Sequence, residues 1–164
     1  MAVDTSAVGK PVSASKVRVE RGPVAFFASA VKDENPIYHD PDAAKAAGFA
    51  DLPAPPTFTF AIQHMGKVGQ TQPPDPTDGS NPMHEVMGKL YSEGGIVLHG
   101  EQEFEYHRPI VVGDVLVGES KIVDAYERES KGKTMTFIVM QTTWRDEKTN
   151  QPVVVEKFNL IHRK

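Results

Sequence analysis

The sequence predicts an α+β domain in which a curved antiparallel sheet wraps around one buried helix. Three observations carry this expectation. The first half of the chain holds short helical segments separated by Pro- and Gly-rich turns. Near residue 96 the apolar pattern changes to strand alternation, and long β-branched runs follow. Between the two halves, the segment 57–67 carries Phe58, Phe60, Ala61, Ile62 and Met65 and is apolar nearly all round, as a buried helix is. One such helix followed by several long strands packs as two layers around a single core.

The 164 residues fit one domain, 1–164. There is no cysteine, which excludes disulfides, thiolate metal sites and a cysteine nucleophile and fits a cytoplasmic address. Eighteen basic against 22 acidic residues leave a net charge of −4 with no basic stripe, so nucleic acid is not an expected partner. No apolar run approaches the roughly 20 residues that span a bilayer. The opening MAVDTSAVGKPVSASK lacks the apolar stretch of a secretory signal, so no membrane partner is expected.

In chain order, residues 1–15 read as an irregular lead-in and 16–20 as a short alternating strand. Pro23 suits the first turn of a helix, which ends near Lys32 because Pro36 disfavours helix at Asn35. A polar turn follows over 33–40. The Ala-rich stretch 41–47 is a short helix with Asp40 placed to cap its start and Gly48 its end. The stretch 52–56, rich in proline, is extended and leads into the buried helix, 57–67. Residues 68–82 read as a surface loop, and 83–91 as a short helix. Strands are expected over 96–107, 115–127, 134–145 and 153–163, with Gly132 and Asn150 in turns.

The densest chemistry lies in 33–40, which holds Asp33, Glu34, Asn35, Tyr38, His39 and Asp40 around Pro36. An Asp and a His on one rigid loop can activate a water, the His moving the proton near neutral pH. The same residues also suit a structural turn whose last member caps a helix. Arg108, in the turn sequence His107-Arg108-Pro109, can close that turn or meet a phosphate. His99 can line a pocket or serve a structural role. His99 and His107 are eight apart, roughly 27 Å along a straight strand, so they cannot share a metal, and no metal site is expected.

VKDENPIYHDPDAAKAAGF, followed by LPAPPTF and later by LHGEQEFEYHRPIVVGD, resembles the MaoC-like hydratase/dehydratase family. It looks most like the FAS1-type dehydratase branch with the mycobacterial (3R)-hydroxyacyl-ACP dehydratase subunits, from about Val8 to His162. The resemblance implies a hotdog fold and reversible addition of water to a trans-2-enoyl thioester on CoA or acyl carrier protein. It implies a (3R)-hydroxyacyl product and no cofactor. Asp33 matches the catalytic acid, and Asn35 and Pro36 the residues that shape the loop. The family's His stands five residues after the Asp; here Tyr38 holds that place and His39 the next, so either one faces the site. The family's oxyanion donor is a backbone N–H where the buried helix begins. Pro56 has none, which leaves the amide of Thr57 or Phe58.

Three readings follow. The first is an (R)-specific enoyl-thioester hydratase or dehydratase using Asp33 and His39. The second is a non-catalytic acyl-binding subunit of a heterodimer, since that branch holds such subunits with altered motifs. The third is an acyl-CoA thioesterase. A single sheet around one helix leaves its edge strands open, so a homodimer, or a heterodimer with a second hotdog subunit, is expected.

Overall fold

The computed structural model describes residues 5–65 and 69–164. Long β-branched runs in the second half build the sheet. Strands β3 (Val115–Ser130), β4 (Lys133–Asp146) and β5 (Pro152–Arg163) form an antiparallel meander. Strand β2 (Ile96–Tyr106) pairs with β5, and β1 (Pro11–Arg18) pairs with β3, giving the order β1-β3-β4-β5-β2. The β3–β4 hairpin turns on Lys131 and Gly132, both at positive φ (51° and 73°), as a tight two-residue hairpin loop requires.

Among the described residues, four helices pack with this sheet: α1 (Arg21–Ala30), α2 (Pro41–Ala46), α3 (Phe58–Ile62) and α4 (Pro82–Ser92). One apolar cluster gathers Val24, Ala44, Leu52 and Phe58 with Leu116 and Trp144. A second gathers Met83 and Leu90 of α4 with Ala7, Ile122 and Ile138. Gly118 lets β3 pass over the fully buried Trp144 ring, since a Cβ there would lie 2.6 Å from it.

The largest differences from the sequence expectation fall at three places. Residues 11–15 are not lead-in but the first part of β1. Ser13, Ala14 and Ser15 have little strand propensity and a register shift after Pro11 hides the alternation, so pairing with β3 makes this strand. The buried helix keeps only Phe58–Ile62 of the expected 57–67, and Met65 is 40% exposed; 66–68 lie outside the described residues. Pro82 belongs to α4, not to the loop: Asn81 caps that helix by accepting from the Met83 N–H and ties it to β1 by donating to the Val12 carbonyl. Within the described part of that loop, Gln72 bonds both backbone groups of Lys16 and covers the free edge of β1.

Candidate functional site

The end of α1 aims the polar turn. Lys32 takes a left-handed φ of 59°, its N–H donates to the Ser29 carbonyl, and the Asp33 N–H donates to the Ala28 carbonyl. This pair of bonds is the Schellman helix end. From there the turn locks itself. The Asp33 Oδ1 accepts from the Asn35 N–H at 3.1 Å, and the Asn35 Oδ1 accepts from the Ile37 N–H at 3.2 Å. Pro36 opens one 3-10 turn, Pro36–Tyr38, and the Asp40 Oδ1 caps α2 through the Asp42 N–H. Asn35 and Pro36 thus shape the loop, and Asp40 is the cap the sequence marks.

Tyr38 and His39 leave this turn differently. His39 is exposed, and its Nε2 donates to the backbone carbonyl of Asp33 at 3.0 Å. Tyr38 is half-buried. Burial raises its phenol above the ordinary range, and the charge of the nearby Asp33 adds to this. Asp33 and His39 do share an open cavity of about 310 Å³ with Ser29, Lys32 and Glu34.

Below lies the start of α3. The rigid segment before it is held against the β2–β3 connection by the Ala54 N–H to the Ile110 carbonyl and the Val112 N–H to the Leu52 carbonyl. Thr57 then takes a left-handed φ of 70°, uncommon for a β-branched residue. Its N–H is not free: it donates to the Tyr106 hydroxyl at 3.1 Å. The Phe58 N–H donates to the Pro55 carbonyl at 3.2 Å. Both backbone donors expected to serve an oxyanion are therefore engaged within the chain.

Tyr106, at the end of β2, sits on Phe104 with centroids 6.3 Å apart. Burial raises its phenol. The Thr57 N–H opposes that rise, and the nearby Glu156 and Tyr38 add to it. Tyr38, Tyr106 and Thr57 therefore form one neighbourhood. Under α3 lies Glu156, 4% exposed. The Thr59 hydroxyl donates to its Oε2 at 2.5 Å, and the Gln63 amide donates to its Oε1 at 2.8 Å. Burial raises this carboxyl, and the hydrogen bond from Thr59 opposes the rise. The Trp144 Nε1 is buried without a hydrogen bond of good geometry, yet it too favours the carboxylate.

Sequence reasoning missed Tyr106 and Glu156. Glu156 carries a signal, an acid directly after Val153-Val154-Val155 that alternates with Val154, Phe158 and Leu160. Tyr106 carries none, because its partner Thr57 is 49 residues away.

Arg108 sits in a turn. Its Nη1 donates to the Asp114 Oδ2 at 2.6 Å and to the Pro109 carbonyl, and its Nη2 donates to the Asp146 Oδ2 at 3.0 Å. Those bonds clamp the β2–β3 connection to the end of β4. His99 is exposed on β2, its ring 4.6 Å from Phe158 and 5.3 Å from Phe60. A register shift after His99 breaks the alternation that would set His99 and His107 on one side, and β2 ends before His107. Among the described residues no three His, Asp or Glu side chains converge as a metal site, and no helix is long and apolar enough to cross a membrane.

The architecture is the hotdog fold, and the solved structures that share it include three that show the likeness well. The ChsH1-ChsH2 complex of Mycobacterium tuberculosis aligns with TM-score 0.71 at 23% identity, over 94% of this chain and 87% of that one. The C-terminally truncated HadBC (3R)-hydroxyacyl-ACP dehydratase complex of the same organism aligns with TM-score 0.65 at 19%, over 98% and 99%. An (R)-hydratase of A. caviae involved in PHA biosynthesis aligns with TM-score 0.60 at 17%, over 96% and 98%. In sequence, a UPF0336 protein of Streptomyces avermitilis is 42% identical over 123 residues, 74% of this chain and 73% of that protein. One of Saccharopolyspora erythraea is 38% identical over 119 residues, 71% of this chain and 66% of that protein. The model of the FAS1-like dehydratase domain region matches residues 6–156. With that match covering nearly the whole chain, the protein belongs to the FAS1-like dehydratase domain family.

Proposed function

We propose that the chain is the acyl-thioester-binding subunit of a two-subunit (R)-specific enoyl-thioester hydratase, or (3R)-hydroxyacyl-thioester dehydratase, whose partner supplies the working Asp–His pair. The observation that carries this is the order of side chains on the turn. Tyr38 takes the half-buried place beside Asp33 and Tyr106, while His39 is exposed and spends its Nε2 proton on the Asp33 carbonyl. A phenol held above its ordinary range stays protonated at neutral pH, so Tyr38 donates hydrogen bonds and accepts no proton. The substrate is a thioester on CoA or acyl carrier protein, and the reaction needs no cofactor.

The open edge of the sheet also supports a dissimilar partner. Glu101, Glu103 and Glu105 alternate along β2, and all three are exposed. A second copy paired antiparallel on this edge would bring carboxylates near carboxylates, a destabilising arrangement. A partner strand with basic residues would pair them instead. The M. tuberculosis structures that share the fold are described as complexes of two named subunits.

The test is Asp33→Asn and His39→Ala in the assembled two-subunit enzyme. Each variant is expected to keep hydration within about twofold of the parent. An acid–base pair contributes roughly 10²–10⁴-fold, so a loss of that size would move catalysis onto this chain. The second reading, a complete hydratase built on Asp33 and His39, draws on the cavity these two side chains share. Under the third reading, a thioesterase, the same assay would release free thiol.

A further inference from the structure

We infer that Tyr106 is the residue of this chain that binds the thioester carbonyl, its hydroxyl taking the place of the backbone oxyanion donor. The inference rests on the acyl-thioester reading above. Its starting point is a count of donors where α3 begins. Pro56 has no N–H. The Phe58 N–H donates to the Pro55 carbonyl, and the Thr57 N–H donates to the Tyr106 oxygen. Neither of the two amides the sequence offers as an oxyanion donor is left for a ligand.

The bond from Thr57 changes what Tyr106 can do. A phenol has one O–H donor and oxygen lone pairs that accept. Thr57 fills the acceptor side, which fixes the oxygen in place. The O–H has no protein acceptor among the described residues, and the side chain sits in a residue 42% exposed. It can therefore donate to an arriving acceptor. A hydrogen-bonded chain from the Thr57 N–H through the phenol to the ligand also polarises the phenol in the direction of donation. The ring cannot swing freely, because Phe104 lies under it. Tyr38 brings a second phenol, and neither group is an acid or a base at neutral pH. The chemical class that fits is a neutral carbonyl that gains negative charge, as a thioester does when water adds to its enoyl carbon. A phosphate or free carboxylate would meet the negative charge of Asp33 instead.

The experiment compares two ligands on two proteins. Crotonyl-CoA carries the thioester carbonyl; S-butyl-CoA is the thioether without it. Both are titrated calorimetrically into the full chain and into Tyr106→Phe. The wild type is expected to bind crotonyl-CoA about five- to tenfold more tightly than S-butyl-CoA, the worth of one neutral hydrogen bond. Tyr106→Phe is expected to lose that preference while binding S-butyl-CoA unchanged. A preference that persists in Tyr106→Phe overturns the role of Tyr106 and leaves the thioester reading standing. Equal weakening for both ligands makes Tyr106 a packing residue and overturns it too. A wild type that binds neither ligand removes the thioester reading itself, and this inference with it. Should Tyr106→Phe not fold, tyrosine resonance Raman spectra of the wild type give the same answer. Crotonyl-CoA is expected to shift the phenol bands toward a donating hydroxyl and S-butyl-CoA is not; identical spectra would overturn the inference.

Discussion

Glu156 has little water around it, and the fold answers with Thr59 and Gln63. Because burial raises its carboxyl in the folded chain, the native state keeps its proton to a higher pH than the unfolded state does. The contribution of Glu156 to stability is fully present below the ordinary glutamate value, near 4.3, and is lost as pH rises toward the folded value. Gln at this position keeps one acceptor for Gln63 and one donor for the Thr59 oxygen, so it imitates the neutral acid. In thermal melts between pH 5 and 8, Glu156→Gln is expected to gain on the wild type as pH rises. Parallel curves would mean that Glu156 is not neutral in the fold. At this scale the sequence was legible where contacts are local. Asp40 and Asn35 bond amides two residues away, and spacing alone marks such turns. The choice between Tyr38 and His39 was not legible, because it depends on how the turn sits against Tyr106, far away in the chain.

Single residues also decide the course of whole elements. Thr57 begins α3 from a left-handed φ of 70°, a conformation costing a non-glycine residue roughly 1 kcal/mol. Its side chain makes no cap, and the bond to Tyr106 uses the backbone only. Thr57→Gly is therefore expected to raise the melting temperature, or leave it unchanged, with the Tyr106 contact kept. A drop of several degrees would show that the Thr57 side chain matters. Gly118 is the opposite case. A methyl there meets the Trp144 ring across β3 and β4, and Trp144 is fully buried. Gly118→Ala is expected to cost about 1–3 kcal/mol in urea unfolding, the usual range for overpacking. Arg108→Ala opens the clamp on Asp114 and Asp146, but the Arg108 side chain is 37% exposed. Solvent screening keeps the expected loss near 1 kcal/mol. Elements with strong patterns, β2 to β5 and α2, were read close to their observed bounds. The first part of β1 was not, since its Ser and Ala residues become a strand only by pairing with β3. Gly100 in β2 shows the same limit: its need for close approach comes from Asn159 and Ile161 of the neighbouring strand.

At the scale of the whole molecule, the sheet ends in two edges that the chain treats unequally. The β1 edge is covered by Gln72. The β2 edge stands open, with Ile96 at 45% and Leu98 at 39% exposure among its glutamates. An open, partly apolar edge is a pairing surface. If the proposed two-subunit assembly holds, light scattering is expected to show stronger association with a basic-edged second subunit than of the chain with itself. The α+β architecture was legible because the change of period near residue 96 is strong. Whether the edge pairs with a copy or with a different chain was not, because that depends on residues across the interface. In the proposed division of labour this chain binds the thioester and its partner completes the chemistry. The most direct measurement is to mix the purified chain alone with a short trans-2-enoyl-CoA and follow the enoyl absorbance. Binding without loss of absorbance is expected, with hydration only once a second subunit is added. Rapid loss with the chain alone, yielding the (3R)-hydroxy product, would contradict it and return catalysis to Asp33 and His39.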